Sequence, residues 1–149
     1  MNFNKRKITM IITENTSEFF YDKPEIRQSD ISNHTIRIAP PRNKPIIIYG
    51  TSQSQKTNDM PTHKLTLNVK YENGTEISDT TKIRITKESF FGIINLARIT
   101  YHDLKSKYSF KQNIEFRYGE HLKIYIINPE FNIPKENIKF SIEADELIK

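Results

Sequence analysis

The residue types best suited to phosphate chemistry lie between Gly50 and Thr57, in the sequence Gly-Thr-Ser-Gln-Ser-Gln-Lys-Thr. This stretch follows an apolar run and departs from the phosphate-binding pattern G-x-x-x-x-G-K-[ST] at one position, where Gln55 replaces the second glycine. A phosphate loop must also lead into a helix whose N-terminus faces the phosphates. Here Pro61 follows soon and strand-like alternation begins at Leu65. We therefore interpret the match as a coincidence within a polar surface loop.

Side chains that bind metals or transfer protons are present, but not in the spacings that such sites use. No two histidines stand two or four residues apart, as a local metal pair requires, and the chain has no cysteine. Carboxylate pairs such as Glu72 with Glu76 lie among other polar residues, and no Gly-x-Ser-x-Gly nucleophile motif is present. We therefore predict no catalytic residue, no cofactor and no metal site, and a protein that is not an enzyme. The four histidines, which we expect in surface turns, are His34, His63, His102 and His121.

One candidate binding surface is basic. The span from Ile31 to Asn58 contains no Asp or Glu, and three basic residues stand together near the N-terminus. A patch of this kind can contact nucleic-acid phosphates or an acidic partner. An ordinary solvated surface is the alternative, and the mild net charge of +5 and the mixed signs of charge elsewhere favour it. The residues of this predicted basic surface are Lys5, Arg6, Lys7, Arg37, Arg42, Lys44 and Lys56.

The composition is that of a β-rich chain, because isoleucine is the commonest residue and leucine and alanine are scarce. A length of 149 residues predicts one domain that spans residues 1–149. The apolar run from Ile8 to Ile12 is too short for the core of a signal peptide. No run approaches the ~20 apolar residues that span a bilayer. We expect synthesis in the cytoplasm without a signal peptide and no membrane span.

The stretch from Lys64 to Ile85 is predicted to organise the fold as a β-hairpin. Apolar and polar residues alternate from Leu65 to Val69, so the apolar side chains share one face of a strand. A two-residue Asn-Gly loop would place the isoleucines of the second strand on the polar face. A three-residue loop, Glu72–Gly74 with a bulge at the glycine, pairs Val69 with Ile77 and aligns the two apolar faces. We therefore predict the bulged turn and one buried face.

Residues Phe90 to Leu104 fit two patterns. Apolar side chains recur at helical spacing along this stretch. The centre, Ile93 to Tyr101, also fits a strand that is buried on both faces, and Gly92 and the β-branched residues disfavour a helix. We predict a strand for the centre and allow a helical turn near Glu88 to Phe91.

Short apolar or alternating runs separated by turn residues predict the remaining strands. Residues 1–34 are expected to provide one strand followed by an extended arm or loop over Glu14 to Asn33. The whole pattern predicts an all-β fold, an antiparallel β-sandwich that is jelly-roll-like, with about eight strands and at most one short helix. The other predicted strands are Lys7–Thr13, Thr35–Ile38, Ile46–Tyr49, Ile114–Phe116, Leu122–Ile126 and Ile138–Ile142.

The run from Ile114 to Ile126, with its turn at Gly119, and the later run Ile138–Ile142 resemble the closing strands of a single jelly-roll β-sandwich. The resemblance rests on alternation and covers the second half of the chain, from Lys64 onward. Jelly rolls of this size include capsid, vertex and decoration subunits of virions, and also carbohydrate-binding modules. The resemblance implies assembly or ligand binding, and no catalytic residue carries over from it.

These observations favour a structural protein that acts through protein–protein contacts. Its concrete form is a viral or phage virion component, such as a penton, minor capsid or decoration protein, that forms homo-oligomers or binds other virion proteins. A second hypothesis is a carbohydrate-binding module whose exposed aromatic side chains stack on sugar rings. A third is nucleic-acid binding through the predicted basic surface, with an affinity that falls steeply with salt. The tyrosines considered for sugar stacking are Tyr21, Tyr49, Tyr101, Tyr108 and Tyr118.

Overall fold

A computed structural model describes the backbone of residues 4–13, 16–19, 28–32, 34–40, 45–52 and 62–148, with side chains for 34–40, 45–52 and 62–145. The described residues form eleven strands, one short α-helix and one 3-10 helix over Lys135–Asn137. The strands and the α-helix, in chain order, are β1 Asn4–Thr13, β2 Thr16–Phe19, β3 Gln28–Ser32, β4 Thr35–Ala39, β5 Ile46–Ile48, β6 Leu65–Val69, β7 Lys82–Ser89, β8 Gly92–Thr100, α1 Tyr101–Lys105, β9 Ile114–Phe116, β10 His121–Ile127 and β11 Ile138–Ile148.

The strands form two antiparallel sheets. Sheet 1 has the order β2-β1-β11-β5-β9, and β6 also pairs with β11. Sheet 2 has the order β3-β4-β10-β7-β8. The prediction of an all-β antiparallel sandwich with one short helix is confirmed. No helix in the part of the chain that the structure describes is long and apolar enough to cross a membrane.

Strand β11 is the centre of sheet 1. One of its edges pairs with β1 along the whole length of β1, from Asn4 opposite Ile148 to Thr13 opposite Lys139. The other edge is shared, because the first half of β11 pairs with β6 and Asp145 lies opposite Ile47 of β5. An eleven-residue strand is therefore long enough to hold three partners in one sheet.

The core lies between the two sheets. In sheet 2, the even-numbered residues of β10 are buried while its odd-numbered residues are partly exposed, the alternation expected of a strand with one face on a core. The two sheets contribute to one cluster of buried side chains, mostly Ile, Leu and Phe. Members from β10 and β11 are Leu122, Ile124, Ile126, Ile138, Phe140, Ile142 and Ala144.

The predicted hairpin is correct at its turn and wrong beyond it. Lys70 pairs with Glu76, the Ile77 N–H donates to the Val69 carbonyl at 3.2 Å, and Gly74 has a φ of 85°. This is the register of the three-residue loop. The strands on either side then separate, because β6 pairs with β11 in sheet 1 and β7 pairs with β10 in sheet 2. The turn therefore joins the two layers of the sandwich.

The strand predicted at the centre of residues 90–104 is confirmed as β8, but its predicted burial on both faces is wrong. Ile93 and Ile94 are 57% and 58% exposed, because β8 is the last strand of sheet 2. The helical turn expected near Glu88 to Phe91 is also wrong. That segment ends β7 and forms a tight turn into β8, and the helix follows β8 instead.

The expected arm over residues 14–33 is wrong where the structure describes that segment. Residues Thr16–Phe19 form β2, which pairs with β1, and Gln28–Ser32 form β3, which pairs with β4. Both are outer strands of their sheets. Residues 20–27 lie outside the described part, as do residues 53–61 of the predicted loop after β5.

Candidate interaction surface

The predicted basic surface falls on both sheets of the sandwich. Lys5, Arg6 and Lys7 are part of β1 in sheet 1, in register with Leu147, Glu146 and Asp145 of β11. Arg37 lies on β4 in sheet 2. Arg42, Lys44 and Lys56 lie outside the described residues. The basic surface as a whole stays a prediction.

Arg37 belongs to a polar outer face of sheet 2. Its Nε donates to His121 Nδ1 at 3.2 Å, and its Nη2 lies 2.8 Å from His121 Nε2. In register, Arg37 faces Lys123 of β10, and Lys123 faces Thr86 of β7. The side chains of these strands that do not enter the core thus lie next to one another on the outer face of sheet 2.

Glu88 is the anionic centre of this polar face. Its Oε2 accepts hydrogen bonds from Thr86 Oγ1 at 2.7 Å and from the Tyr125 hydroxyl, and its Oε1 lies 3.3 Å from Lys123 Nζ. Burial by itself would raise the pKa of the Glu88 carboxyl. The hydrogen bonds from Tyr125, Thr86 and Lys123 outweigh burial, so this pKa lies below its ordinary value. Because the charges are paired, this network fits a rigid surface better than a reactive centre.

Beside this face, the β7–β8 turn carries a cluster of exposed apolar side chains. Phe90 and Phe91 are 96% and 95% exposed, and their rings meet edge to face with centroids 5.6 Å apart. Ile93 and Ile94, near the start of β8, are also exposed, and as successive residues of a strand they point to opposite faces of the sheet. We call these four side chains the tip surface. A depression of about 190 Å³ lies against it, lined in part by Lys87 and by Glu120 from a neighbouring turn.

The tip surface is formed by a two-residue turn. The Phe91 N–H donates to Ser89 Oγ at 3.2 Å, and Gly92 has a φ of 142°, a conformation that glycine adopts readily. Among the described strands β8 pairs with β7 alone, so its other edge offers backbone donors and acceptors. Exposed apolar side chains of this size beside a free strand edge are typical of a protein–protein contact.

Three histidines depart from the predicted surface turns, since His63 is buried, His102 lies in α1 and His121 is the first residue of β10. His63 is fully buried, its Nδ1 accepts a hydrogen bond from the Tyr49 N–H at 3.0 Å, and its Nε2 lies 3.3 Å from Asp145 Oδ1. That last contact is within ion-pair distance, but it lacks the alignment of a hydrogen bond. His102 is largely exposed beside Asp79, as expected. Within the described residues, no group of three or more His, Asp or Glu side chains is arranged to hold a metal ion.

The start of the phosphate-loop match is held by the fold. The N–H groups of Thr51 and Ser52 donate to the carbonyls of Phe110 and Lys111, at 2.9 and 2.7 Å. A phosphate loop needs such amides to face the ligand. These two amides are already bonded, which agrees with our interpretation of the match as a coincidence.

The tyrosines considered for sugar stacking do not form one platform in the part that the structure describes. Tyr49 and Tyr101 are buried, and Tyr108 is partly buried. Tyr118 is 66% exposed in the turn before β10. Tyr21 lies outside the described residues.

Comparison with known proteins gave matches among solved structures. No family model matches the sequence, and no curated protein matches it. Among solved structures, the chain is similar to VP17, a capsid protein of bacteriophage P23-77, with 7% sequence identity and a TM-score of 0.45. The alignment covers 100% of this chain and 97% of that chain.

The tip surface was missed by the sequence analysis. Phe90 and Phe91 stand between two runs of strand-like residues, and Ser89 and Gly92 flank them. A pair of turn-forming residues around two phenylalanines is a signal for a hairpin with an apolar end. The helical alternative competed with that signal, because Phe90 also fits a helical stripe.

Proposed function

We propose that this chain is a non-enzymatic structural protein whose copies assemble through the tip surface and the free edge of β8. The observation that carries the proposal is the cluster of Phe90, Phe91, Ile93 and Ile94 at the end of an outer strand. Large apolar side chains that are grouped and exposed are typical of interaction sites. A second copy that covers the cluster would remove these side chains from water.

The form of assembly that we propose is a virion, in which the chain is a capsid, vertex or decoration subunit. The strand connectivity supports a jelly roll, a fold that viral capsid and lectin domains use. The comparison leaves out the outer strands β2 and β3 and counts β5 and β6 as one position, because both pair with the same edge of β11. Sheet 1 then has the order β1-β11-β5/β6-β9, and sheet 2 has the order β4-β10-β7-β8. Two packed sheets of four strands each are consistent with the eight strands of a jelly roll, and this supports the proposal. Because one fold serves several functions, the fold alone does not indicate assembly. The proposal that the chain assembles therefore rests on the tip surface.

The two phenylalanines allow an estimate of how much their replacement would weaken self-association. Both side chains are almost fully exposed in the single chain, and burial of each contributes about 1.5–3 kcal/mol. Replacement of both by serine should therefore weaken self-association at least about a hundredfold. The core should be unaffected, because neither ring belongs to the buried cluster.

Light scattering after size-exclusion chromatography, over a series of protein concentrations, tests the proposal. We expect the wild-type mass to rise above that of one chain, and the Phe90→Ser/Phe91→Ser variant to remain monomeric at the same concentrations. Phe131→Ser is the control, since Phe131 is 61% exposed in the loop that follows β10, away from the β7–β8 turn. A wild-type protein that stays monomeric at high concentration, or an assembly that survives loss of both phenylalanines, would refute the proposal.

A further inference from the structure

A second surface lies at the opposite end of β8 from the tip surface. There the outer face of sheet 2 contains a cleft of about 600 Å³, a volume within the usual range of ligand sites. Three cationic side chains surround it: Lys82 and Arg84 from β7, and Arg98 from β8. Ile127 of β10, which faces Lys82 in register, adds apolar surface. We call this the cationic cleft.

The positive charge of the cationic cleft is not neutralised by the described part of the chain. None of the ion pairs among the described side chains includes Lys82, Arg84 or Arg98. Arg84 donates from Nε to the neutral amide of Asn95 at 2.7 Å, and its guanidinium carbon lies 5.8 Å from the centre of the Tyr125 ring. These contacts orient the guanidinium without cancelling its charge.

The pairing of β7 with β8 brings two of these cationic side chains close together. Arg84 and Arg98 are directly opposite each other on β7 and β8, and like charges in such a pair destabilise a sheet. One carboxylate, that of Asp103, also lines the cleft, but it accepts hydrogen bonds from Thr100 N–H and Thr100 Oγ1, both at 3.1 Å, at the start of α1. A bound anion would offset the repulsion, since guanidinium groups bind carboxylates in a bidentate manner.

We propose that the cationic cleft binds an extended acidic segment of a partner protein, in which carboxylate side chains alternate with apolar ones. The carboxylates, which share one face of such an extended segment, would pair with Arg98, Lys82 and Arg84. Lys82 and Arg98 are exposed, so the cleft is open along the sheet and accepts a chain rather than an enclosed small molecule. The cleft shares β8 with the self-contact proposed above but lies at the other end of that strand from the tip surface, and peptide binding does not depend on self-assembly.

The cleft fits nucleic acid less well. Proteins that bind single strands combine a track of positive charge with aromatic faces on which bases stack. Here the cations are confined to three side chains beside apolar surface, and the nearby Tyr125 is engaged by Arg84 and Glu88. A strand of nucleotides would therefore gain phosphate contacts but no stacking platform.

Fluorescence anisotropy with a labelled Glu-Val-Glu-Val-Glu-Val peptide tests the inference. We expect saturable binding that weakens as salt is raised, and at least about tenfold weaker binding of the matched peptide with Gln in place of Glu. The variant Lys82→Gln/Arg98→Gln should also bind the Glu peptide at least about tenfold more weakly. The control Lys70→Gln/Lys139→Gln removes the same charge from exposed positions elsewhere and should bind as the wild type does.

The inference would be overturned if the Glu peptide did not bind at about millimolar protein, or if the Gln peptide bound equally well. Equal losses of peptide affinity in the two double variants would also overturn it. So would displacement of the peptide by a poly-dT oligonucleotide that binds more tightly. The Phe90→Ser/Phe91→Ser variant should bind the peptide normally. Failure of self-assembly and failure of peptide binding are therefore distinguishable in the same set of proteins.

Discussion

Removal of the buried imidazole of His63 should destabilise the sandwich where β5, β6 and β11 meet. His63 immediately precedes the segment that enters β6, and it joins Tyr49, just after β5, to Asp145 of β11. The bond from the Tyr49 N–H to His63 Nδ1 requires that this nitrogen carries no proton. The imidazole thus links three strands through the interior of sheet 1.

The expected size of the effect follows from these contacts. In His63→Ala, the buried Tyr49 N–H loses this acceptor, which costs about 1–3 kcal/mol. The space left by the ring adds a cavity term, and large-to-small changes at buried positions cost about 2–5 kcal/mol. We expect a loss of at least about 3 kcal/mol in the free energy of unfolding. For a chain of this size, that lowers the melting temperature by at least roughly 6 °C.

Urea unfolding followed by tyrosine fluorescence measures this loss, because the protein has seven tyrosines and no tryptophan. His63→Asn should be more stable than His63→Ala, since its amide oxygen can replace Nδ1 as the acceptor for the Tyr49 N–H. The control is His102→Ala, which removes an exposed imidazole and should change stability by no more than about 0.5 kcal/mol. Equal stabilities of His63→Ala and His102→Ala would refute the role given to His63.

Three further changes test other parts of the structure. Gly50→Ala would place a Cβ 2.5 Å from the Gln112 carbonyl oxygen, a backbone atom, and should cost about 1–3 kcal/mol in thermal unfolding. Tyr101→Phe removes the hydroxyl that accepts the buried Val69 N–H at 3.0 Å, so urea unfolding should show a loss of about 1–3 kcal/mol. The pKa of Glu88 is lowered in the folded protein, so its ionised form stabilises the fold above the unfolded-state pKa, and this contribution is lost as the pH falls through the folded value. The stability difference between wild type and Glu88→Gln, measured in urea, should therefore be full at neutral pH and shrink below about pH 4.

Local alternation was sufficient to predict most of the described strands, although not β2 or β3, and the buried face of β6. Leu65, Leu67 and Val69 are fully buried, and the three-residue turn at Glu72–Gly74 has the predicted register. Both features depend on residues close in sequence: side chains of a strand alternate between faces, and a turn sets its own pairing. Such short-range information is present in one sequence.

The partners of the strands depend on long-range packing, which alternation does not encode. Two turns that resemble hairpins, Glu72–Gly74 and Tyr118–Glu120, each join one sheet to the other. An apolar face satisfies the pattern equally well against a neighbouring strand or against the opposite sheet. The predicted hairpin therefore failed beyond its turn, although its residues were correctly oriented.

The exposure of Ile93 and Ile94 in the tip surface also depends on long-range packing. Ile93 and Ile94 belong to an apolar run of the kind that predicts full burial, yet they are exposed because no described strand follows β8 in sheet 2. The burial of His63 likewise depends on Asp145, which is far away in sequence. Exposure of apolar residues and burial of polar ones are the features that local patterns predict worst, and they are also the features that indicate contacts.

Hydrogen–deuterium exchange of the backbone of β8, compared between dilute and concentrated protein, tests most directly whether this strand is the assembly contact. The account predicts that amides of Gly92–Thr100 exchange more slowly when the protein is concentrated, and that β3 (Gln28–Ser32), the outer strand at the other side of sheet 2, does not change. In Phe90→Ser/Phe91→Ser the slowing at β8 should disappear. Unchanged exchange at β8 on assembly, or protection at β3 in its place, would contradict the account.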